Sequence, residues 1–286
     1  MKRQMIAAAA LGAMLLAACG DDEKSSDTTS SGTQTAAECA VGKTVTDGTL
    51  TIATGEPAFP PYVINDATPE DGQGFEAAVA MAVAAELGFE AADVEWIRTA
   101  FDVAIAPGPK DFDFNLQQYT ITPERAEVVT FSQGYYTSSQ AIFGLADAPA
   151  ASATTLEDLK GLKIGVAAGT TSIAYIEEVI QPDSEPFIFN DNAAAKEALD
   201  SNQIDAIVSD LPTALYITAV EMEGTTVYGQ IEGSGTDEFG LLMSKDNPIA
   251  PCVDLALTAL KASGQLEAIT TTWMSDYVEA PVISLG

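Results

Sequence analysis

Apolar residues recur along this chain with two different periods, and together they predict strands that alternate with helices. Short runs rich in β-branched residues end at Gly or Pro, as at residues 49–54. One apolar stripe at helical spacing contains Phe75, Val79, Val83 and Leu87. The predicted strands are residues 49–54, 94–97, 111–115, 140–145, 163–167, 205–209 and 239–243, and the predicted helices are residues 74–87, 193–202, 250–263 and 266–277. Strands separated by helices predict an α/β fold whose sheets are mainly parallel.

The N-terminal residues have the pattern of a bacterial lipoprotein signal. Lys2 and Arg3 precede an apolar run over residues 6–16, which is too short to span a bilayer. Leu-Ala-Ala-Cys at residues 16–19 resembles a lipobox, so we expect a signal peptide over residues 1–18 and diacylglycerol on Cys19. The alternative is an ordinary signal peptide with Cys19 incidental. Either way, the sequence predicts an exported protein, periplasmic or lipid-anchored at the extracytoplasmic face of the bacterial cell membrane.

The segment after Cys19 is rich in Ser, Thr, Asp and Gly and has no apolar periodicity. Such a segment buries too little apolar surface to fold, so we expect a flexible, lipid-anchored tether over residues 19–44. Folded material is expected to begin near Cys39. The remaining chain, about 245 residues, is long enough for two modest lobes or one large domain.

Charge and composition exclude several classes of function. The chain has 42 acidic and 12 basic residues, so a nucleic-acid partner is not expected, because phosphate binding needs clustered Lys and Arg. It has no histidine, which removes the commonest general base and the usual zinc ligand. Many exported hydrolases are therefore disfavoured. We expect no cofactor, no metal site and no catalytic residues.

The cysteines indicate an oxidising compartment. With Cys19 assigned to lipid, Cys39 and Cys252 remain, and exported proteins keep disulfides. We predict a Cys39–Cys252 bridge between the start of the folded chain and a late helix. Two separate thiols are the alternative.

A series of motifs in fixed order points to one family. They are GEPAFPPY at 55–62, GQGFEAAVAM at 72–81, ITPER at 121–125, FSQGYY at 131–136, GTTS at 169–172, SDLP at 209–212 and FGLLMSKDNP at 239–248. Together they resemble the landmarks of bacterial extracellular solute-binding proteins of family 3, the polar-amino-acid receptors of ABC importers. The resemblance covers roughly residues 45–278.

The resemblance implies a two-lobe periplasmic-binding-protein fold of type II, an α/β fold with two hinge strands and a ligand cleft between the lobes. Mapped onto this chain, it places the parts as follows: lobe 1 at residues 45–141 and 240–286, lobe 2 at 146–235, and the hinge region at 142–145 and 236–239.

Arg125 is the strongest candidate for a binding residue. A guanidinium grips a carboxylate with two parallel hydrogen bonds, and in the family the arginine of ITPER binds the ligand α-carboxylate. A surface ion pair with Glu124 or Glu127 is the alternative. Thr120 is expected to supply a hydroxyl beside Arg125.

The second lobe is expected to share the ligand with the first. In the family, the turn that here contains Thr170 and Thr171, chiefly the second Thr, helps to bind the carboxylate; simple helix capping is the alternative. Asp210 follows a buried strand and resembles the acid that receives the ligand ammonium, with a helix cap as the alternative.

The remaining candidates shape the pocket. By resemblance, Phe59 and Phe101 are opposite walls, with core packing as the alternative. Glu56 favours a polar or cationic ligand, and the carbonyl of Gln118 is expected to accept from the ligand ammonium. Many relatives have Gly or Ser where this chain has Gln118, so its bulk bears on ligand identity.

The sequence therefore predicts a monomeric substrate-binding lipoprotein that captures an amino acid and delivers it to an ABC permease in the membrane. It is not predicted to be an enzyme. A periplasmic enzyme of dehydratase type, with Glu56 or Asp210 as a carboxylate base, and an amino-acid sensor on the same fold are the alternatives.

Overall fold

The computed structural model describes residues 34–66, 68–233 and 237–285. The predicted signal peptide, the lipidation site Cys19 and the tether up to residue 33 lie outside these ranges.

Strands and helices alternate along most of the described chain, as the apolar pattern predicts. The strands are β1 (Leu50–Gly55), β2 (Val94–Thr99), β3 (Phe114–Asn115), β4 (Val129–Phe131), β5 (Tyr136–Ser138), β6 (Gln140–Leu145), β7 (Ile164–Ala167), β8 (Phe187–Phe189), β9 (Ala206–Asp210), β10 (Thr225–Ile231), β11 (Asp237–Phe239), β12 (Leu242–Ser244) and β13 (Val282–Ile283). The α-helices are α1 (Ala36–Ala40), α2 (Phe75–Glu86), α3 (Phe101–Ile105), α4 (Pro123–Ala126), α5 (Ser172–Ala174), α6 (Asn192–Asp200), α7 (Leu211–Tyr216), α8 (Ala250–Ser263) and α9 (Gln265–Met274). Short 3-10 turns cover Pro69–Asp71, Ala91–Asp93, Pro149–Ser152 and Leu156–Leu159, and π-helical turns at Tyr175–Ile180 and Ile217–Glu221 extend α5 and α7.

Two sheets organise the chain into two lobes. The first sheet has the order β2-β1-β3-β12-β4, and the second has the order β13-β10-β6-β9-β7-β8. Both are mixed rather than mainly parallel, because β12 runs antiparallel to β3 and β4, and β6 runs antiparallel to β10 and β9. The strands β6 and β12 each come directly after a point where the chain passes from one sheet to the other. Each one therefore enters its new sheet in the direction opposite to its neighbouring strands.

Each sheet has apolar packing on both faces, as expected for layered α/β lobes. Around the first sheet, α2, α8 and α9 supply one core with Phe75, Val83 and Leu257, and the opposite face packs Phe112 and Tyr119. Around the second sheet, two clusters lie on opposite faces. One contains Ile142, Val166 and Ile176, and the other contains Phe143, Leu199 and Ile207.

A two-stranded ribbon of β5 and β11 connects the lobes. The two strands pair antiparallel, with Ser138 opposite Asp237 and Tyr136 opposite Phe239. The predicted hinge segment 142–145 lies instead within β6, which is paired on both sides in the second sheet. The predicted segment 236–239 overlaps β11, and residues 237–239 are described. The predicted strand 239–243 is divided between β11 and β12, because the chain leaves the ribbon at Gly240 to enter the first sheet.

The ends of the folded chain also differ from the predicted boundaries. The C-terminal strand β13 pairs with β10 in the second sheet, so the predicted extent of lobe 1, which includes residues 240–286, is wrong at this end. At the other end, α1 lies inside the predicted tether 19–44. Thr35 and Glu38 form a capping box, and Ala36, Cys39 and Ala40 are buried. The folded part therefore begins before residue 45.

The predicted disulfide is confirmed. Cys39 in α1 is bonded to Cys252 in α8, and the two residues are 213 positions apart in sequence. The bond holds α1 against the core of the first lobe, where both cysteines are buried. None of the described helices combines the length and the apolar character that a membrane crossing requires.

Candidate ligand-binding cleft

A cavity of about 320 Å³ lies between the two lobes. All the side chains predicted to bind ligand line it: Glu56, Phe59, Phe101, Gln118, Thr120, Arg125, Thr170, Thr171 and Asp210. The structure thus brings together residues that are up to 154 positions apart in sequence (210 − 56). Their contact with a ligand remains a prediction. The hydrogen bonds that each side chain already makes decide which of its groups are left to bind one.

Arg125 is fixed in the cleft by both lobes. It belongs to α4, which begins at Pro123 after the N-cap Thr122. Its Nη1 donates to the Thr120 carbonyl at 2.8 Å, and its Nη2 donates to the Gly169 carbonyl on the second lobe, also at 2.8 Å. These bonds orient the guanidinium and leave other N–H groups of the fork for a carboxylate. Burial lowers the pKa of Arg125, although a guanidinium stays protonated at physiological pH.

The two predicted aromatic walls have different surroundings. Phe101 stacks on Tyr119 with ring centroids 4.7 Å apart, and the Arg125 guanidinium lies 5.6 Å from its centroid. Phe59 faces the second lobe, where the Lys196 ammonium lies 5.8 Å from its centroid. Both rings are half-buried and line the cavity, so they do more than fill a core.

The turn between β7 and α5 brings two hydroxyl groups to the cavity, but they are used differently. The Thr170 hydroxyl donates to the Ala167 carbonyl at 2.8 Å and so closes its own turn. The Thr171 hydroxyl lies 3.5 Å from the Thr120 hydroxyl across the cleft. Thr171 is therefore the better placed of the two to share a ligand with the first lobe.

Asp210 both caps a helix and faces the cavity. It follows β9 and accepts from the Thr213 backbone N–H at 3.0 Å and from the Thr213 hydroxyl at 2.8 Å, so the capping alternative is realised. Its Oδ2 also accepts from the Tyr62 hydroxyl of the first lobe at 2.7 Å. Burial raises the pKa of Asp210. An ammonium group bound beside it would restore the countercharge that this site lacks.

Glu56 and Gln118 occupy the first-lobe side of the cavity. Glu56 follows β1 and is exposed at the cavity edge. Gln118 has a positive φ of 53°, a conformation that is uncommon for residues other than Gly. Its backbone N–H donates to Glu76 at 2.8 Å, and its side-chain amide donates to the same carboxylate. The Gln118 amide is thus directed to Glu76 rather than left free for a ligand.

Comparison with known proteins identifies the family of this chain. The family described as "Bacterial extracellular solute-binding proteins, family 3" matches residues 50–276. The chain belongs to this family. That match confirms the resemblance drawn from the motifs, and the two-lobe α/β fold of the solved relatives confirms the predicted fold class.

Two curated relatives and one solved structure illustrate the range of this family. The L-cystine-binding protein TcyJ of Escherichia coli (strain K12) is 28% identical over 83% of this chain and 87% of its own length. An L-arginine-binding protein of Pseudomonas aeruginosa is 28% identical over 77% of this chain and 86% of its own length. The solved structure of an ancestral arginine-binding protein bound to arginine has a TM-score of 0.67 and 30% identity, covering 79% of this chain and 98% of its own.

Several residues of this family member were not predicted from the sequence and contribute to the cleft. Gln140 begins β6 and donates its amide to Asp237 at 2.5 Å, while its carbonyl oxygen accepts from the Ser172 hydroxyl at 2.7 Å. Burial raises the pKa of Asp237. Tyr62, in the motif GEPAFPPY, makes the bond to Asp210 described above. Gln140 reaches the cleft from the start of β6, Asp237 from β11 and Tyr62 from the loop after β1, and no local sequence pattern marks them as cleft residues.

The charge of the cavity is strongly unbalanced. Among the described residues, Arg125 is the one cationic side chain that lines it. Four carboxylates line it as well: Glu56, Asp102, Asp191 and Asp210. Asp191 was not predicted either; it caps α6 by accepting from the Ala194 N–H at 2.8 Å. The described part of the chain contains no group of three side chains suited to hold a metal ion.

Proposed function

We propose that this solute-binding protein captures an amino acid with a cationic side chain, such as arginine or lysine, and delivers it to an ABC permease. The observation that carries the proposal is the charge of the cavity: one guanidinium and four carboxylates. An amino acid presents a carboxylate, which Arg125 would bind, and an ammonium group, which Asp210 would bind. Three carboxylates then remain, and a second positive charge on the ligand would offset part of their negative charge.

The arrangement of the cavity supports one orientation of that ligand. Arg125 and Thr120 are close together, and Thr171 lies opposite them, so the α-carboxylate would bind there. Glu56 and Asp102 are exposed at the cavity edge, where a long cationic side chain would reach them. The Arg125 guanidinium lies near the Phe101 ring, and this ring would cover the ligand from one side.

Two of the three relatives described above support a cationic ligand, because they are arginine-binding proteins, whereas the third is a cystine-binding protein. Each is named as a binding protein, which favours a receptor over an enzyme for this chain. A dehydratase-like enzyme or a sensor on the same fold remains the alternative; incubation with arginine and lysine followed by analysis for products distinguishes the enzyme from a receptor.

A membrane anchor would raise the concentration of the receptor near its permease. Lipid on Cys19 would provide this tether, and the long acidic and hydroxyl-rich segment after it would let the folded part reach the permease. We place the protein as a monomer at the extracytoplasmic face of the cell membrane. Globomycin treatment, which blocks cleavage of lipoprotein signals, should leave a longer precursor, and a Cys19→Ala variant should be released from the membrane fraction.

The ligand is tested by thermal unfolding in the presence of the twenty amino acids. A ligand at 100 times its Kd stabilises the native state by about 2.7 kcal/mol. For a protein of this size, that corresponds to a rise of roughly 5–10 °C in Tm. L-Arginine and L-lysine should produce this rise, while L-aspartate and L-glutamate should produce none. Stabilisation by the acidic amino acids, or by no amino acid, contradicts the proposal.

A further inference from the structure

Glu76 is a buried carboxylate directly behind the cavity wall. It lies in the first turn of α2 and is only 1% exposed. One of its oxygens accepts from the Gln118 backbone N–H at 2.8 Å and from the Tyr135 hydroxyl, and the other accepts from the Gln118 amide. Two of these three bonds fix a single residue, Gln118, which lines the cavity.

These bonds explain how Gln118 keeps its unusual backbone. A residue with a side chain pays a conformational cost at a φ of 53°, so neighbouring groups must hold it there. Glu76 holds both its backbone and its side chain. The position of Gln118 in the cavity wall therefore depends on the two carboxylate oxygens of Glu76, which accept its hydrogen bonds.

The charge of Glu76 has no cation beside it. The titratable groups that face it are Tyr135 before β5, Tyr62 after β1, Tyr119 after β3, and Asp210 at the end of β9. None of these is cationic, and the ion pairs found among the described residues do not include Glu76. Hydrogen bonds alone offset only part of the cost of burying a carboxylate.

We propose that Glu76 is a positioning residue of the cleft that also couples ligand charge to protonation: a cationic ligand binds tightly only when Glu76 is ionised. This inference rests on the proposed function, because it needs a positive charge in the cavity. The ligand ammonium, bound beside Asp210, would supply the countercharge that the surroundings of Glu76 lack, since Asp210 faces Glu76, and the ionised carboxylate would in turn favour that ammonium.

Glu76 changes its protonation state at a pH where ligand binding is readily measured. Burial raises its pKa to about 7, against the lowering effect of its three hydrogen bonds. A bound cation lowers that pKa again, so binding below pH 7 releases a proton. The affinity then falls by up to about tenfold for each pH unit below 7, until the pKa of the bound state is reached.

The test measures protons released when L-arginine binds the folded protein. Calorimetry at pH 6 in buffers of different ionisation enthalpy should give close to one proton per ligand, and at pH 8 it should give about none. Glu76→Gln keeps the size of the side chain and an acceptor for Tyr135 and the Gln118 N–H. It should bind L-arginine more weakly than the wild type does at pH 8, with little proton release and with an affinity that changes less than threefold over this pH range; tight binding by this variant at both pH values overturns the inference. Glu86→Gln, on the same helix and outside the cavity lining, should behave as the wild type.

The outcomes are distinct. Proton release that persists in Glu76→Gln, or a wild-type affinity that is the same at pH 6 and pH 8, overturns the inference and leaves the proposed function intact. Failure of both L-arginine and L-lysine to bind the wild type overturns both. If Glu76→Gln does not fold, NMR of wild-type protein with carboxyl-labelled glutamate decides. It should show one glutamate that titrates near pH 7 and shifts to lower pH with L-arginine, and the absence of such a glutamate overturns the inference.

Discussion

Replacing Arg125 by alanine should remove most of the ligand affinity while leaving the fold intact. The side chain is half-buried and is held by the carbonyls of Thr120 and Gly169, one from each lobe. Hydrogen bonds that involve a charged group contribute about 1.5–3 kcal/mol each to folding, so the variant should be less stable than the wild type but still fold. The ligand carboxylate, by contrast, would be left unpaired in a desolvated cleft. That loss typically costs about 2–5 kcal/mol, or roughly 30-fold to several-thousand-fold in Kd.

The assay is calorimetric titration with L-arginine, with Arg98→Ala as the matched control. Arg98 pairs with Asp66 at 2.9 Å, and the Asp66 side chain is 54% exposed. The Arg98 side chain is 26% exposed and also donates to the Gly55 carbonyl at 2.9 Å. A partly exposed ion pair contributes about 1 kcal/mol to stability, and Arg98 does not line the cavity. The control should bind within threefold of the wild type. An Arg125→Ala protein that is folded by circular dichroism and also binds within threefold would refute the assignment of the carboxylate site.

Three further outcomes follow from buried contacts. Folding raises the pKa of Glu76 from 4.5 to about 7, so ionisation of Glu76 destabilises the native protein as the pH rises through this range. In urea unfolding at pH 8, Glu76→Gln should therefore be more stable than the wild type by up to about 3 kcal/mol. The difference in the free energy of unfolding should shrink towards pH 5. Replacing both Cys39 and Cys252 by serine removes a disulfide between residues 213 positions apart. The free energy of unfolding should fall by up to about 5 kcal/mol, with the affinity for arginine unchanged. A variant as stable as the wild type contradicts the bridge. Tyr62→Phe removes the hydroxyl that reaches Asp210 across the cleft and should weaken binding by about 1–3 kcal/mol, whereas unchanged affinity means that this contact does not stabilise the ligand-bound arrangement.

Residues in local motifs could be predicted from the sequence. Arg125 and Asp210 each follow a recognisable element, namely the ITPER turn and the end of a buried apolar strand. Their positions relative to the cleft follow from that element and from the family resemblance. The same holds for the helices α2 and α8, whose apolar patterns are long enough to define them.

Long-range contacts could not be predicted in this way. Glu76 is an acid at the start of an apolar helix, and its partners Gln118 and Tyr135 are 42 and 59 residues away. A single sequence shows no sign that these three meet. The one feature visible in the sequence is an acidic residue within an apolar stretch, directly after Gly74 and Phe75.

The hinge and the N-terminal boundary depended on packing rather than composition. An apolar run such as β6 has the same pattern whether it crosses between lobes or lies within a sheet, so its neighbours decide its role. Helix α1 follows a segment rich in Ser and Thr, yet the capping box of Thr35 and Glu38 and the bond from Cys39 hold it in place.

The central claim is that the cleft recognises a positive charge on the ligand side chain. L-Arginine and L-citrulline have side chains of nearly the same shape, but citrulline is neutral. At a separation of about 8 Å and an effective dielectric constant of about 20, one unbalanced carboxylate favours the cation by about 2 kcal/mol, or roughly 30-fold in Kd. Calorimetric titration of the wild-type protein at pH 8 with each ligand should show arginine binding at least tenfold more tightly. Equal affinities, or tighter binding of citrulline, would contradict the account.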